Sequence, residues 1–583
     1  MSATSFEGTQ AAAGPSLLAP ARGTVARVQP STARNAAVAG SLGSALLTAT
    51  VATTPGSPFQ PILPTDARPA GPFRWLAHLV RLDQVHGSAL AIVGVVAVAL
   101  AVAGFLAILR EARRGTVSAR AVTALAVAYQ LAVMLLPLLF SRDVYSYSAY
   151  GRIAAIHHAN PYVATPADFP HDAVTGFVGP KWIDTPAVYG PLFTFLSSLV
   201  VRMTSSVGGA IVAFRAIAVA ASLGTIAILA RITRRVRPSR EAFAIAAFGL
   251  NPAVVFQSVA SGHNDLLVAL AIVGALALLL RGRELLATAV LAMGALVKAP
   301  AAVPLLLLVV VAVARREPGR RARAALAHVG VAGAITVLAA APFLQTSDPS
   351  LGMLELARHE GWLAPSRLVR RALDAVSGDA LGVVARIAFA LALLASIALV
   401  AAWLVRRARS VSALTQGAVW GWGLILLMLL GPVLLPWYVT WSLPLVWLLP
   451  RAPRFALIGT GVALTLSQWT TEPGRFRVAY DANVLFGHYV LTPVVIVLLG
   501  WVGLDLLRRL RAGASLEEPP DEVAARPGGD EHDQGAGATF EPESGALERD
   551  PQEDHGAGAG GRSQGDRGRA LAGDEAGPAG PDR

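Results

Sequence analysis

The chain has 583 residues, 54% hydrophobic and 15% charged, with no cysteine and a formal net charge of +12. Repeated apolar runs of roughly 15–24 residues exclude a soluble enzyme of this length and describe an all-α polytopic membrane protein. Without thiols there is no disulfide, thiolate metal site or cysteine nucleophile.

Residues 512–583 carry 17 acids against 6 arginines, so the preceding residues hold a net charge of +23. Arginines clustered between apolar runs read as cytoplasmic loops and not as a nucleic-acid-binding surface. Only Lys181 and Lys298 are lysine; with abundant Ala and Gly, that bias hints at a high-GC, actinobacterial source.

In chain order, residues 1–35 read as a disordered cytoplasmic tail. Ala36–Thr54 reads as an uncleaved first span, although Thr50-Val51-Ala52 resembles a cleavage site. Residues 55–86 are expected outside, Gly87–Leu109 returns inward, and Arg110–Arg114 closes that span on the cytoplasmic side. Ala121–Phe140 then delivers the stretch Ser141–Pro191 to the external face. About fifty polar and aromatic residues there are too many for a simple connector. They include Asp143, Asp172, Asp184, His157, His158, His171 and Lys181.

Pro191–Val207 is read as a helix lying on or dipping into the outer leaflet. Were it to cross, the basic stretch Arg231–Arg240 would fall outside. Spans are then expected at 208–230, 241–260, 266–281, 284–297, 300–314, 325–344, 381–404, 412–430, 436–450, 455–470 and 488–507. The loops at 261–265, 298–299, 345–380, 431–435 and 471–487 fall outside. About 13–14 crossings with both ends cytoplasmic follow. Residues 36–511 form the membrane domain, and 512–583 are an acidic tail too polar to bury a core.

Chemistry concentrates at the expected external face. Asp143 follows a span directly and suits a general base, with Arg142 beside it favouring the ionised form unless burial wins. A simple cap at the headgroups is the plainer alternative. Asn160-Pro161-Tyr162 and Tyr189-Gly190-Pro191 are aromatic turn signals. His263, Asn264 and Asp265 break two apolar runs near the hydrocarbon boundary, where polar groups are costly. Lys298 stands between apolar helices and needs an anion: a lipid-linked phosphate, unless the side chain snorkels to the headgroups. Arg358, His359, Glu360, Trp362 and Arg367 are further candidates for phosphate or sugar. Trp437, Tyr438 and Trp441 offer faces for sugar or polyprenyl stacking. No nucleotide-binding motif occurs in a supporting context, so the transferred group is expected from a membrane-borne donor, with no nucleotide and no nucleic acid.

The ordered set Asp143-Val144-Tyr145-Ser146-Tyr147 with Gly151-Arg152, Asn160-Pro161-Tyr162, Tyr189-Gly190-Pro191, Gly262-His263-Asn264-Asp265, Lys298-Ala299-Pro300 and Pro436-Trp437-Tyr438 resembles a known family. It is that of the polyprenol-phosphomannose-dependent α-1,6-mannosyltransferases of actinobacteria, within the GT-C glycosyltransferase superfamily. The resemblance covers roughly residues 36–507. It implies a plasma-membrane, multi-pass transferase with a large catalytic external loop, a polyprenyl-phosphate-mannose donor and a lipid-anchored mannan acceptor.

By that resemblance Asp143 is the base of an inverting reaction. Lys298, Arg152 and His263 would serve the donor phosphate. Tyr145, Tyr147, Tyr162, Tyr189, Asn264, Asp265, Trp437 and Tyr438 would line the substrate site. Asp143 is followed by Val144-Tyr145 and not by a second acid, which leaves a divalent metal open but unsupported; no other cofactor is expected. Two other readings stay open: another polyprenyl-phosphate sugar such as arabinose or glucose, or a lipid-linked saccharide transporter. A transporter would carry internal repeats and mid-membrane ionisable groups, and neither is evident.

Overall fold

A computed structural model describes residues 32–64, 74–344, 360–361, 363–377, 379–467, 469–470 and 476–519. Among these the regular structure is all helical, without strands. Most of the expected tails, and Arg358, His359 and Trp362, lie outside the described residues.

Helix α1 (Thr32–Thr53) packs on α3 (Gly87–Arg114), with the short α2 (Arg74–Leu79) between them in sequence. Helix α4 (Ala119–Met134) stops before the full expected run, and the chain continues irregularly to Arg142. Orphan carbonyls at such an end need a donor inside a membrane. The buried Arg215 supplies it, donating to Val133 O at 2.6 Å and Leu136 O at 2.9 Å.

Part of the expected external loop is helical: α5 (Asp143–Ala155) begins at the candidate base. Helix α6 (Pro191–Met203) packs along α5 and has 13 residues, about 20 Å of rise, too short to span. It turns Phe195, Leu199 and Met203 outward, as suits a helix at the leaflet surface.

Helix α7 (Val207–Val236) is a full-length span, and the short α8 (Glu241–Gly249) follows it. Asn251-Pro252 breaks the latter; a π-helical turn, Ala253–Val259, follows at a 42° bend to the preceding Pro238–Gly249 segment. Helices α9 (Asp265–Leu279), α10 (Glu284–Val297) and α11 (Ala302–Ala314) are shorter apolar rods. Next come α12 (Pro318–Ala340), α13 (Pro365–Ser377), α14 (Asp379–Arg407) and α15 (Ala413–Leu430).

The expected span 436–450 is a pair of 3-10 segments, Pro436–Trp441 and Leu443–Leu448. Prolines at 436 and 444 remove amide donors that an α-helix would use. Helices α16 (Arg451–Ser467), α17 (Arg477–Phe486) and α18 (Thr492–Ala512) complete the chain order.

Among the described residues seven helices are long and apolar enough to cross a membrane, or eight if the bent pair counts as one. The chain is therefore a multi-pass membrane protein. The shortfall against the expected crossings arises where polar motifs or prolines interrupt apolar runs, as at α4, α9, α10 and α11. Non-helical backbone is tolerated at such depth only where protein surrounds it or it lines a cavity.

The segment after α18, assigned by sequence to the acidic tail, begins packed against the bundle. Leu516 is fully buried, and its carbonyl accepts from Trp422 Nε1 at 2.9 Å. Glu517 pairs with the buried Arg237 and accepts from Thr415 Oγ1 at 2.7 Å. Glu518 lies 3.2 Å from Arg454 and 3.6 Å from Arg240.

Candidate active site

Four breaks in helical structure meet around Asp143. The first is the start of α5, where Ser141 Oγ accepts from the Asp143 amide at 3.1 Å. The second is the turn Ser261–Asn264, tied beneath that start by Ser261 Oγ donating to Leu139 O at 2.7 Å. Gly262 is indispensable there: its φ is +72°, and a Cβ would lie 2.8 Å from Val144 Cγ1. The third is the α10–α11 break, where Lys298 is extended before Pro300. The fourth is the 3-10 segment Pro436–Trp441.

Tyr189-Gly190-Pro191 closes the ring. The Gly190 amide donates to Val297 O at 3.1 Å, and a Cβ on Gly190 would sit 2.0 Å from Leu296 O. Glycine thus lets the loop lie directly against the end of α10, beside Lys298.

At the centre, Lys298 Nζ donates to both oxygens of Asp265, at 2.9 and 2.8 Å, and both side chains are buried. The anion that Lys298 needs is therefore supplied by the protein itself. Trp441 Nε1 donates to Asp265 Oδ1 at 2.6 Å, so the carboxylate is held from two sides. The ammonium lies 5.1 Å from the Tyr438 ring centre, 5.9 Å from that of Trp441 and 6.0 Å from that of Tyr189. This aromatic cage strengthens the hold on a desolvated cation.

His263 is fully buried, stacked on Trp437 at 3.8 Å, with Nδ1 3.5 Å from Asp143 Oδ2 and 3.4 Å from Tyr147 Oη. Tyr147 is wedged edge-on against Tyr189 and Phe193. In the turn beside Asp143, His263 Nε2 and Asn264 Nδ2 and Oδ1 are buried without partners among the described residues. Buried polar atoms normally have partners, so orphans beside a carboxylate mark a place for ligand hydroxyls.

The Asp143 side chain keeps 20% of its surface exposed, unlike the groups behind it. Burial pushes its carboxyl up to about 6; Lys298 and hydrogen bonds from Ser141 and Tyr189 oppose the rise, and Asp265 adds to it. The Arg142 guanidinium donates to the Ile62 carbonyl. Between Arg142 and burial, burial wins.

Nine of the residues singled out from sequence thus converge: Asp143, Tyr147, Tyr189, His263, Asn264, Asp265, Lys298, Trp437 and Tyr438. Three stand elsewhere. Arg152 donates to Asp172 at 2.7 Å, and His157 Nε2 lies 2.6 Å from the same carboxylate. Burial would raise the Asp172 carboxyl, but hydrogen bonds from Arg152, the Val174 amide and His157 outweigh it and hold it below the usual range. That cluster fastens the loop to α5. Tyr145 stacks on Phe177 at 5.2 Å, and Tyr162 donates to Tyr189 O at 2.8 Å.

Trp441, expected from sequence only as a stacking face, holds Asp265 through its indole N–H. Among the described residues no group of three acids or histidines is arranged to hold a metal.

A family described as "Alpha-(1->6)-mannopyranosyltransferase, N-terminal domain" matches residues 37–315. The chain is 28% identical over 330 residues to Alpha-(1->6)-mannopyranosyltransferase A of Mycobacterium tuberculosis, covering 54% of this chain and 62% of that one. It is 31% identical over 163 residues to Alpha-(1->6)-mannopyranosyltransferase B of Corynebacterium glutamicum, 27% of this chain and 26% of that one. In both cases the match spans less than two thirds of the relative. No solved structure matches the chain.

Proposed function

With residues 37–315 matching the α-(1→6)-mannopyranosyltransferase family, we propose that the chain moves mannose from a polyprenyl-phosphate donor to a lipid-anchored mannan. The product linkage is α-1,6, formed with inversion at the external face of the plasma membrane. The observation that carries this reading is a half-sheltered carboxylate, Asp143, beside a buried Lys298–Asp265 pair and the unpartnered polar atoms of His263 and Asn264.

Asp143 accepts the proton of the acceptor 6-hydroxyl as that oxygen bonds to C1 of the mannose. The bond from C1 to the phosphate oxygen breaks, and its electron pair leaves with polyprenyl phosphate. A carboxyl poised near 6 is matched to proton transfer close to neutral pH. As Asp143 gains a proton it loses its charge, just when charge develops on the departing phosphate. Lys298 then faces one anion in place of the other, so its field serves the transition state without any movement. Asp265 and Trp441 hold it there. His263 and Asn264 offer hydrogen bonds to sugar hydroxyls, and Trp437 and Tyr438 offer stacking faces.

The deciding experiment supplies purified protein in liposomes with labelled polyprenyl-phosphate mannose and a short α-1,6-mannoside, followed by linkage analysis. An added α-1,6-linked mannose is expected. No labelled product, or a product of another linkage, would overturn the reading.

A further inference from the structure

A cavity of about 280 Å³ with polar and apolar walls lies between α5, α6 and the segment that follows α12. Ala154 on its wall is eleven residues along α5 from Asp143, about 16 Å at the helical rise. Two cationic or titratable side chains line it, Arg202 from the end of α6 and His158 from the turn after α5. Both side chains are exposed to solvent at its mouth, and among the described residues neither makes an ion pair or hydrogen bond within the protein. His158 also has a φ of +52°, a strained backbone for a residue with a Cβ.

The wall is stitched firmly. Asn160 Nδ2 donates to Phe343 O at 2.8 Å, and its Oδ1 accepts from the Tyr162 amide at 3.0 Å. Beyond the polar end the surroundings are apolar. Phe195 lines the cavity, and α6, which packs against α12, turns Leu199 and Met203 outward as α12 does Val337 and Leu338. A cationic pocket opening between outward apolar faces is complementary to a phosphate that carries hydrocarbon chains.

We propose that this cavity holds the anchoring phosphate of the glycolipid acceptor, whose chains lie along α6 and α12 while its mannosyl end reaches Asp143. The assignment rests on Asp143 being the base. The donor phosphate is bonded directly to the mannose C1 under attack, so it must sit beside Asp143. A phosphate some 16 Å away along α5 belongs to another molecule. A short run of sugars bridges that gap, so phosphate-anchored acceptors are favoured over free mannosides.

The test uses one short α-1,6-mannoside on two carriers, a phosphodiester-linked diacylglycerol and a neutral alkyl chain, in liposomes with labelled donor. For Arg202→Gln the KM of the phosphodiester acceptor is expected to rise about tenfold, and further when His158→Asn is added. The KM values of the neutral acceptor and the donor should stay within about twofold, and Arg202→Lys should keep most of the preference. Equal rises for both acceptors, a rise for the donor alone, or no change would each overturn the proposal. So would loss of the difference on adding bulk anionic phospholipid, which would make the occupant a surrounding membrane lipid.

A binding arm needs neither turnover nor variants. Wild-type protein without donor should retain the phosphodiester mannoside in preference to the neutral one. Equal retention overturns the site even where transfer is normal. Selective retention without transfer would support the site and count against mannosyl transfer.

Discussion

At the scale of single residues, the chemistry rests on how one carboxyl titrates. Below about 6 Asp143 holds its proton in the resting protein and cannot accept another, so kcat/KM should fall about tenfold per pH unit there and level off above about 7. A profile flat down to pH 4.5 would remove Asp143 as the base. Asp143→Asn should lower turnover by about 10²–10⁴-fold with little change in thermal midpoint. The Lys298–Asp265 pair behaves differently, because either partner alone is a buried, uncompensated charge. Asp265→Asn or Lys298→Met should each cost about 3–5 kcal/mol of stability, and the double substitution should restore much of that without restoring transfer. Thermal unfolding in detergent beside transfer rates reads both parts; additive losses of stability would show that the two side chains do not act as a pair.

At the scale of elements, the site exists because helices break there. The stop of α4, the turn Ser261–Asn264, the extended Lys298 and the 3-10 segment at Pro436 each expose backbone or side chains that an unbroken span would turn to lipid. Two glycines let these breaks approach one another. Gly190→Ala should displace the loop from the end of α10, lowering the thermal midpoint and the transfer rate together, since its Cβ would meet Leu296 O at 2.0 Å. Wild-type behaviour of that variant would mean the loop is not seated there.

Apolar runs made most helices legible in the sequence. The 3-10 pair reads as a span in the sequence because Leu, Val and Trp dominate its hydropathy, while two prolines set its backbone. The site was partly legible, since polar residues among apolar ones stand out. What did not stand out was partnership. Asp265 and Lys298 are 33 residues apart, and Arg152 could be assigned to a phosphate only while Asp172 was not known to hold it.

At the scale of the whole molecule, the proposed site and the Arg–Glu pairs of Glu284 and Glu517 lie at opposite ends of the helices. Helix α10 runs from Glu284, paired with Arg315 at 2.9 Å, to the Lys298 break. The arginine end is closed by residues after α18. Truncation after residue 519 should leave stability and transfer intact. Truncation after Ala512 should cost about 3–5 kcal/mol, because Arg237 and Arg454 would remain buried without Glu517 and Glu518. Equal thermal midpoints for the two truncations would show that the packed segment contributes nothing.

The packed segment also sets an order in time. Arg237 and Arg454 are synthesised long before Glu517 and Glu518. While the intervening spans insert, those arginines remain uncompensated and hold the growing chain to the side of the bilayer where they began. Their neutralisation waits until α18 is in place, so the two glutamates act as a latch that closes only behind a fully threaded chain.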